Sequence, residues 1–130
     1  MLLHRYFIQN GRVKETNAFR PHAGIEIYEV VRVMKKVPLF LEDHVKRFLH
    51  SAWLCHLEIS LDEESISTML RKLIAVNGVE EGNIRFSWYF RPAGTFQAWS
   101  FSFRPEAWPA FPHHLMQSAN SSNWMGAVLV

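Results

Sequence analysis

From Leu41 to Trp53 the chain reads LEDHVKRFLHSAW, with apolar side chains at Val45, Phe48, Leu49, Ala52 and Trp53 and the series continued by His56. That spacing predicts an amphipathic helix with one buried face. At a turn of about 100° per residue, His44, Arg47 and Ser51 gather into a second, polar stripe roughly opposite the first. Glu42 and Asp43 stand near the amino end, where negative charge suits the helix dipole. A second helix is predicted over SLDEESISTMLRKLIAVNG. Its apolar stripe is Ile66, Met69, Leu70, Leu73 and Ile74, Ser60 and Glu63 have capping-box spacing, and Gly78 supplies the stop.

Strand patterns flank the helices. HRYFIQNGRVKE alternates about Asn10-Gly11, a hairpin signal because both residues accept positive backbone angles. After the loop at Arg20-Pro21-His22-Ala23-Gly24, IEIYEVVRVM is rich in β-branched residues, and Lys35-Lys36 turns it toward VPLFL as a second hairpin. A register that buries Ile25, Ile27, Val31 and Val33 sends Tyr28, Val30 and Arg32 to the opposite face. NIRFSWYFRPAGTFQAWSFSF reads as two aromatic strands joined at Pro92-Ala93-Gly94. Strand, helix, helix, strand favours an α+β fold, an antiparallel sheet of five to six strands against two helices. The two late strands carry Phe86, Trp88, Phe90, Phe96, Trp99, Phe101 and Phe103. This is more aromatic surface than one two-helix layer obviously covers, and it suggests self-association. From Pro105 onward, prolines and then Ser and Asn replace periodicity, and the segment reads as an atypical tail.

Composition narrows the function classes. With 130 residues, 48% of them hydrophobic, there is material for one domain with a real core. A net charge of +2 is spread over 14 basic and 12 acidic residues without a basic cluster, which argues against a nucleic-acid partner. The single cysteine, Cys55, fits a reducing compartment and reads as a packed small hydrophobe. The amino terminus, MLLHRYFIQNG, has His and Arg where a signal peptide needs an unbroken apolar run, and no stretch is long enough to span a bilayer. A soluble, cytoplasmic protein with no membrane partner is expected. His113-His114 is adjacent, and the other histidines pair with no cysteine at a zinc spacing, so no metal site is expected. There is no phosphate-cradling glycine loop and no nucleophile elbow. Arg47 is the residue left to bind an anion, since a guanidinium on a helix presents a planar fork to phosphate or carboxylate. From the residues alone the favoured reading is an arginine facing water, as most do.

YEVVRV followed by VPLFLEDHVKRFLHSA resembles the amino-terminal domain of the class IV (fold type IV) pyridoxal-phosphate-dependent aminotransferases. This is the group of branched-chain aminotransferase, D-amino-acid aminotransferase and aminodeoxychorismate lyase. That family carries an aromatic-glutamate strand, a hairpin, and a helix patterned Glu-Glu-His-x-x-Arg-Leu-x-x-Ser-Ala, matched by Glu42, Asp43, His44, Arg47, Phe48, Ser51 and Ala52. The similarity continues through GNIRFSWYFRPAG and Trp108-Pro109, covering roughly residues 5 to 109. It implies that Arg47 contacts the phosphate of pyridoxal 5′-phosphate, that Tyr28 lines the substrate pocket, and that Arg85 or Arg91 holds a substrate carboxylate. Tyr28 also reads as a half-buried sheet aromatic. The resemblance further implies a homodimer and an amino acid or keto acid substrate, turned over by transamination or by the related lyase reaction.

Two departures qualify these expectations. The family's Gly-Asp-Gly before the strand is replaced by Ala23-Gly24-Ile25-Glu26. The family's Schiff-base lysine lies in a larger carboxyl-terminal domain, and none of Lys14, Lys35, Lys36, Lys46 and Lys72 matches its motif. Residues 1–109 are therefore expected to form the amino-terminal domain, with 110–130 as a tail left by truncation or a frameshift. The chain itself is expected to be inactive and to bind cofactor weakly. The alternative is a non-catalytic self-association or anionic small-molecule binding module.

Overall fold

The computed structural model describes residues 2–20, 26–90 and 94–102, and the backbone of 127–129. In chain order the elements are β1 (Leu2–Gln9), β2 (Arg12–Glu15), one 3₁₀ turn (Thr16–Ala18), β3 (Glu26–Met34) and β4 (Val37–Pro38). Then come α1 (Leu41–Leu54), α2 (Glu63–Asn77), β5 (Glu81–Tyr89), β6 (Thr95–Ser102) and β7 (Ala127–Leu129). Six strands lie in the antiparallel order β2-β1-β6-β5-β3-β4, and the three-residue β7 pairs along β3. The α+β class and the two helices are as expected.

Both predicted hairpins close through two-residue turns with positive φ at both central positions, the geometry that matches strand twist. Asn10 and Gly11 have φ of 48° and 84°. Lys35 and Lys36 have φ of 50° and 67°, values unusual for long side chains. The second turn is tied down because the Lys36 amide donates to the Glu80 carbonyl at 3.0 Å.

One face of the sheet carries both helices. Ile27, Val31 and Val33 of β3, Ile84, Phe86 and Trp88 of β5, and Phe96 and Ala98 of β6 pack against Val45, Phe48 and Ala52 of α1 and Ile66, Leu70, Leu73 and Ile74 of α2. On the second face Phe7, Trp99 and Phe101 cluster with Phe19 and Val30. Five of the late-strand aromatics, Phe86, Trp88, Phe96, Trp99 and Phe101, are thus buried within the chain, and Phe90 packs against the core. Phe103 lies outside the described residues. The exposed aromatic patch expected from the sequence is not what these side chains form, because the helices cover those on one face and Phe7, Phe19, Trp99 and Phe101 pack together on the other.

Three local readings change. Trp53 is 71% exposed and His56 is also exposed. The helix stops at Leu54, Cys55 bonds back to the Ser51 and Ala52 carbonyls, and His56 turns the chain at φ 58°, so these residues lie beyond the core's edge. Trp53 instead stacks on His50, with ring centroids 5.8 Å apart. At α2 the cap is Asp62, not Ser60: its carboxylate accepts from the Ser65 amide at 2.7 Å, and that bond holds its pKa below the usual carboxylate value. Finally, β7 falls inside the segment read as tail and pairs with Glu26, Ile27 and Tyr28. Gly78 ends α2 in the left-handed conformation, as its position predicts.

Gln97 is fully buried on the second face, and neither its Oε1 nor its Nε2 has a hydrogen-bond partner. Unpaired buried amides cost stability. Gln97→Leu is therefore expected to stabilise the fold by about 1 kcal/mol, read as a higher urea midpoint at unchanged slope. A lower midpoint would mean that the amide is partnered.

Candidate functional site

Alternation along β3 aims Ile27, Glu29, Val31 and Val33 at the helices, and among these apolar residues stands one carboxylate. Glu29 is 1% exposed. A carboxylate there is tolerable only if it is paired and hydrogen-bonded, and α1 supplies the partners. Arg47 Nη2 and Nε donate to Glu29 Oε1 at 2.9 and 3.1 Å, and Nε also reaches Oε2 at 3.3 Å. His44 Nδ1 lies 2.9 Å from Oε1 and 3.2 Å from Arg47 Nη2. Spacing of three residues puts both side chains on one helix face.

That face is not opposite the core. Ser51, the third member of the stripe, is buried at 4% exposure, and His44 and Arg47 are partly covered. The stripe flanks the apolar face by about a third of a turn and meets β3. The expectation of a stripe roughly opposite the core is corrected by this packing: α1 lies low enough on the sheet for both stripes to touch it.

The edge of β3 explains the shape of the site. Among the described residues, β7 covers Glu26 to Tyr28 and β4 covers Val33 and Met34, with the Leu39 amide bonded to the Arg32 carbonyl at 2.8 Å. Between these two short partners a cleft of about 550 Å³ opens, lined by Val30, Arg32, Leu39, Phe40, Asp43, His44, Arg47 and Asn83. Its volume lies within the usual range for small-molecule sites. Phe40, 74% exposed and left-handed at φ 54°, forms the lip where β4 turns into α1. Arg32 is braced by a bond from Nη1 to the Gly82 carbonyl at 3.2 Å.

The other predicted residues stand elsewhere. Tyr28 and Arg85 come together on the sheet's second face, the Arg85 guanidinium lying 3.9 Å from the Tyr28 ring centroid and 5.6 Å from that of Trp99. Arg85 Nη2 also pairs with Glu26 Oε1, which neutralises much of its charge. Next to this pair, burial and then the Glu26 carboxylate push the Tyr89 hydroxyl pKa up, so it stays protonated. Glu26 Oε2, Arg85 Nε and Ser87 Oγ are buried without hydrogen-bond partners. Arg91 lies outside the described residues. Arg47 is therefore separated from Tyr28 and Arg85 by the sheet, on the helix side.

Sequence reasoning missed Glu29 and Arg32. A signal for Glu29 was present: a carboxylate at an inward position of an apolar strand requires a cation, and Arg47 with His44 at three-residue spacing is the obvious source. Arg32 was read only as facing away from the core. The cleft lining brings together two guanidiniums, Arg47 from the helix side and Arg32 from the second face, with Asn83 and the Asp43 carboxylate, whereas none of the five lysines lines it.

No curated protein sequence matches the chain. The solved structures it resembles include a T.th. branched-chain amino acid aminotransferase with pyridoxamine 5′-phosphate, at 19% identity and a TM-score of 0.70 over 80% of this chain. The Escherichia coli branched-chain amino acid aminotransferase matches at 16% and 0.69 over 77%. The Thermoproteus uzoniensis branched-chain aminotransferase with norvaline matches at 19% and 0.68 over 78%. At these identities the likeness is one of fold, and this chain spans 41% of each of those chains. The family model of amino-transferase class IV matches residues 26–128, past Pro109, where the resemblance read from sequence stops. That match takes in β3, the cleft and both helices, and by it the chain belongs to the class IV aminotransferases.

Proposed function

We propose that this chain is the small, phosphate-gripping domain of a pyridoxal-phosphate-dependent enzyme that transaminates an amino or keto acid or carries out the related lyase reaction. The observation that carries the reading is Arg47, held on α1 at the cleft beside Arg32 in a chain of this family. The cofactor, when bound, supplies the electron sink for bond changes at the substrate's α-carbon. Arg47 would grip its phosphate by a charge-assisted pair, with Arg32 and Asn83 as further donors, and the half-covered cleft would keep part of the bulk water away. Tyr28 and Arg85 belong to the same reading as substrate contacts. Their stacked pair on the second face would meet substrate only as part of a larger assembly, because Arg47 lies across the sheet. Arg91 is carried as a further substrate contact by resemblance alone.

A homodimer is part of this proposal. Exposed Trp53 and Leu54 on α1 are apolar surface that a second copy could cover. Cytoplasmic location is also proposed, in keeping with one cysteine and with the fact that no helix among the described residues is long and apolar enough to cross a membrane. The absence of a lysine at the cleft favours a second reading for these 130 residues taken alone: they bind phosphate-bearing ligands without turning them over.

Titration of the 130-residue polypeptide with pyridoxal 5′-phosphate and inorganic phosphate tests the site. Arg47→Ala is expected to weaken both by about tenfold while leaving the circular dichroism spectrum unchanged, and no amino acid in a panel is expected to be turned over. Unchanged affinity would remove Arg47 from the site. Turnover with a borohydride-trapped adduct on one lysine would relocate the catalytic centre.

A further inference from the structure

We infer that Glu29 is a positioning residue: from inside the core it fixes the guanidinium plane of Arg47, and so sets the direction in which the cleft presents its cation. This deepens the phosphate-binding reading and rests on it for its functional meaning. The geometry behind it stands without that reading.

Glu29 lies on β3, whose backbone is held by β5 along its whole length, so its carboxylate has little freedom. Arg47 meets it side-on through Nε and Nη2. A guanidinium is planar, and two bonds to one rigid carboxylate define both its plane and its rotation. Side-on pairing directs the terminal Nη1/Nη2 edge away from Glu29. Arg47 lines the cleft and Glu29 does not, so the carboxylate acts on the cleft only through its partners. His44 Nδ1 lies against both partners, 2.9 Å from Glu29 Oε1 and 3.2 Å from Arg47 Nη2.

Two effects of Glu29 oppose each other. Its negative charge lowers the attraction of Arg47 for an anion, whereas its hydrogen bonds hold Arg47 ready and so remove the cost of ordering a long side chain when the anion arrives. Substitutions separate them. Glu29→Gln keeps one oxygen acceptor and removes the charge. Glu29→Ala removes both, and with them these bonds to Arg47.

The test is nitrogen-15 edited NMR of the arginine Nε–H groups in the folded 130-residue chain, with and without inorganic phosphate. The Arg47 Nε–H should exchange slowly in the unsubstituted chain. It should stay protected but shifted in Glu29→Gln, and exchange faster in Glu29→Ala. Phosphate should bind Glu29→Gln at least as tightly as the unsubstituted chain, and Glu29→Ala about tenfold more weakly. A structural role alone would change stability and not this reversal between the two variants. An unshifted Arg47 resonance in folded Glu29→Gln overturns the inference, and that variant decides the matter if Glu29→Ala does not fold. Protection that follows Glu29 as stated, with phosphate leaving the Arg47 signal unmoved, supports the positioning role and overturns the phosphate reading instead.

Discussion

Replacing Phe48 with alanine is expected to destabilise the chain by about 3–5 kcal/mol, the usual range for a fully buried phenylalanine. Phe48 has no exposed surface and sits where α1 meets the middle of the sheet. Its ring lies 4.8 Å from that of Phe86 on β5 and 6.4 Å from that of Phe96 on β6, the second contact edge-on. Both neighbours belong to strands paired along their length, so neither can move to fill the space, and the loss includes a cavity as well as the lost burial. Urea unfolding followed by tryptophan fluorescence measures it. A loss under about 1.5 kcal/mol would show that the helix can settle onto the sheet, since collapse of the site is what reduces such costs. Because α1 also carries His44 and Arg47, settling of that kind would move the cleft, and phosphate affinity should fall along with stability.

Asn77→Ala should cost about 2–3 kcal/mol, although Asn77 is only partly buried and buries no apolar surface of note. The reason is a break in the sheet. The β1–β6 register shifts between Leu3 and Phe7, and within that break Tyr6 turns its backbone to the last residue of α2. Asn77 Oδ1 accepts from the Tyr6 amide at 2.8 Å, and its Nδ2 donates to the Tyr6 carbonyl at 2.9 Å and to Ser100 Oγ at 2.8 Å. His4 Nδ1 meets the same hydroxyl at 2.8 Å, and burial lowers its pKa, which keeps the imidazole neutral. One amide side chain therefore serves two backbone groups of a strand and a hydroxyl of its neighbour. Alanine would leave all three short of a partner. Asn77→Asp keeps the acceptor and loses both donations, and should fall between the unsubstituted chain and Asn77→Ala by the same urea measurement.

The parts legible in the sequence are those governed by neighbours along the chain. Asn10-Gly11 closes its hairpin and Gly78 ends α2 because a backbone with positive φ needs those residue types locally. Ile27, Val31 and Val33 face the core because a strand alternates with period two. The misplaced α2 cap has a local explanation as well. Ser60, Asp62 and Glu63 all carry acceptors, and the choice of Asp62 depends on where the chain leaves the preceding loop, which no spacing rule contains. Trp53 continues the apolar series in sequence but is exposed at the rim of the core, stacked on His50.

The candidate site shows the same division. Arg47 and His44 were visible as a stripe on a helix, because helical periodicity alone places residues three apart side by side. The residue they hold was signalled only as a carboxylate at an inward strand position, and no local rule joins it to them. Glu29 stands 15 positions before His44 and 18 before Arg47, and it reaches them only because the β3–β4 hairpin folds α1 back over its own strand. The cleft likewise depends on two short strands, β4 and β7, that cover β3 at its ends and leave its middle to the side chains. By itself, then, the sequence determined the elements, their apolar faces and the cation on offer, since each of these is a property of residues a few positions apart. Which face of α1 met the sheet, which carboxylate the cation met, and that Tyr28 and Arg85 would stack on the far side were decided only by tertiary packing. Those contacts depend on how far one element reaches over another once the shared core has closed.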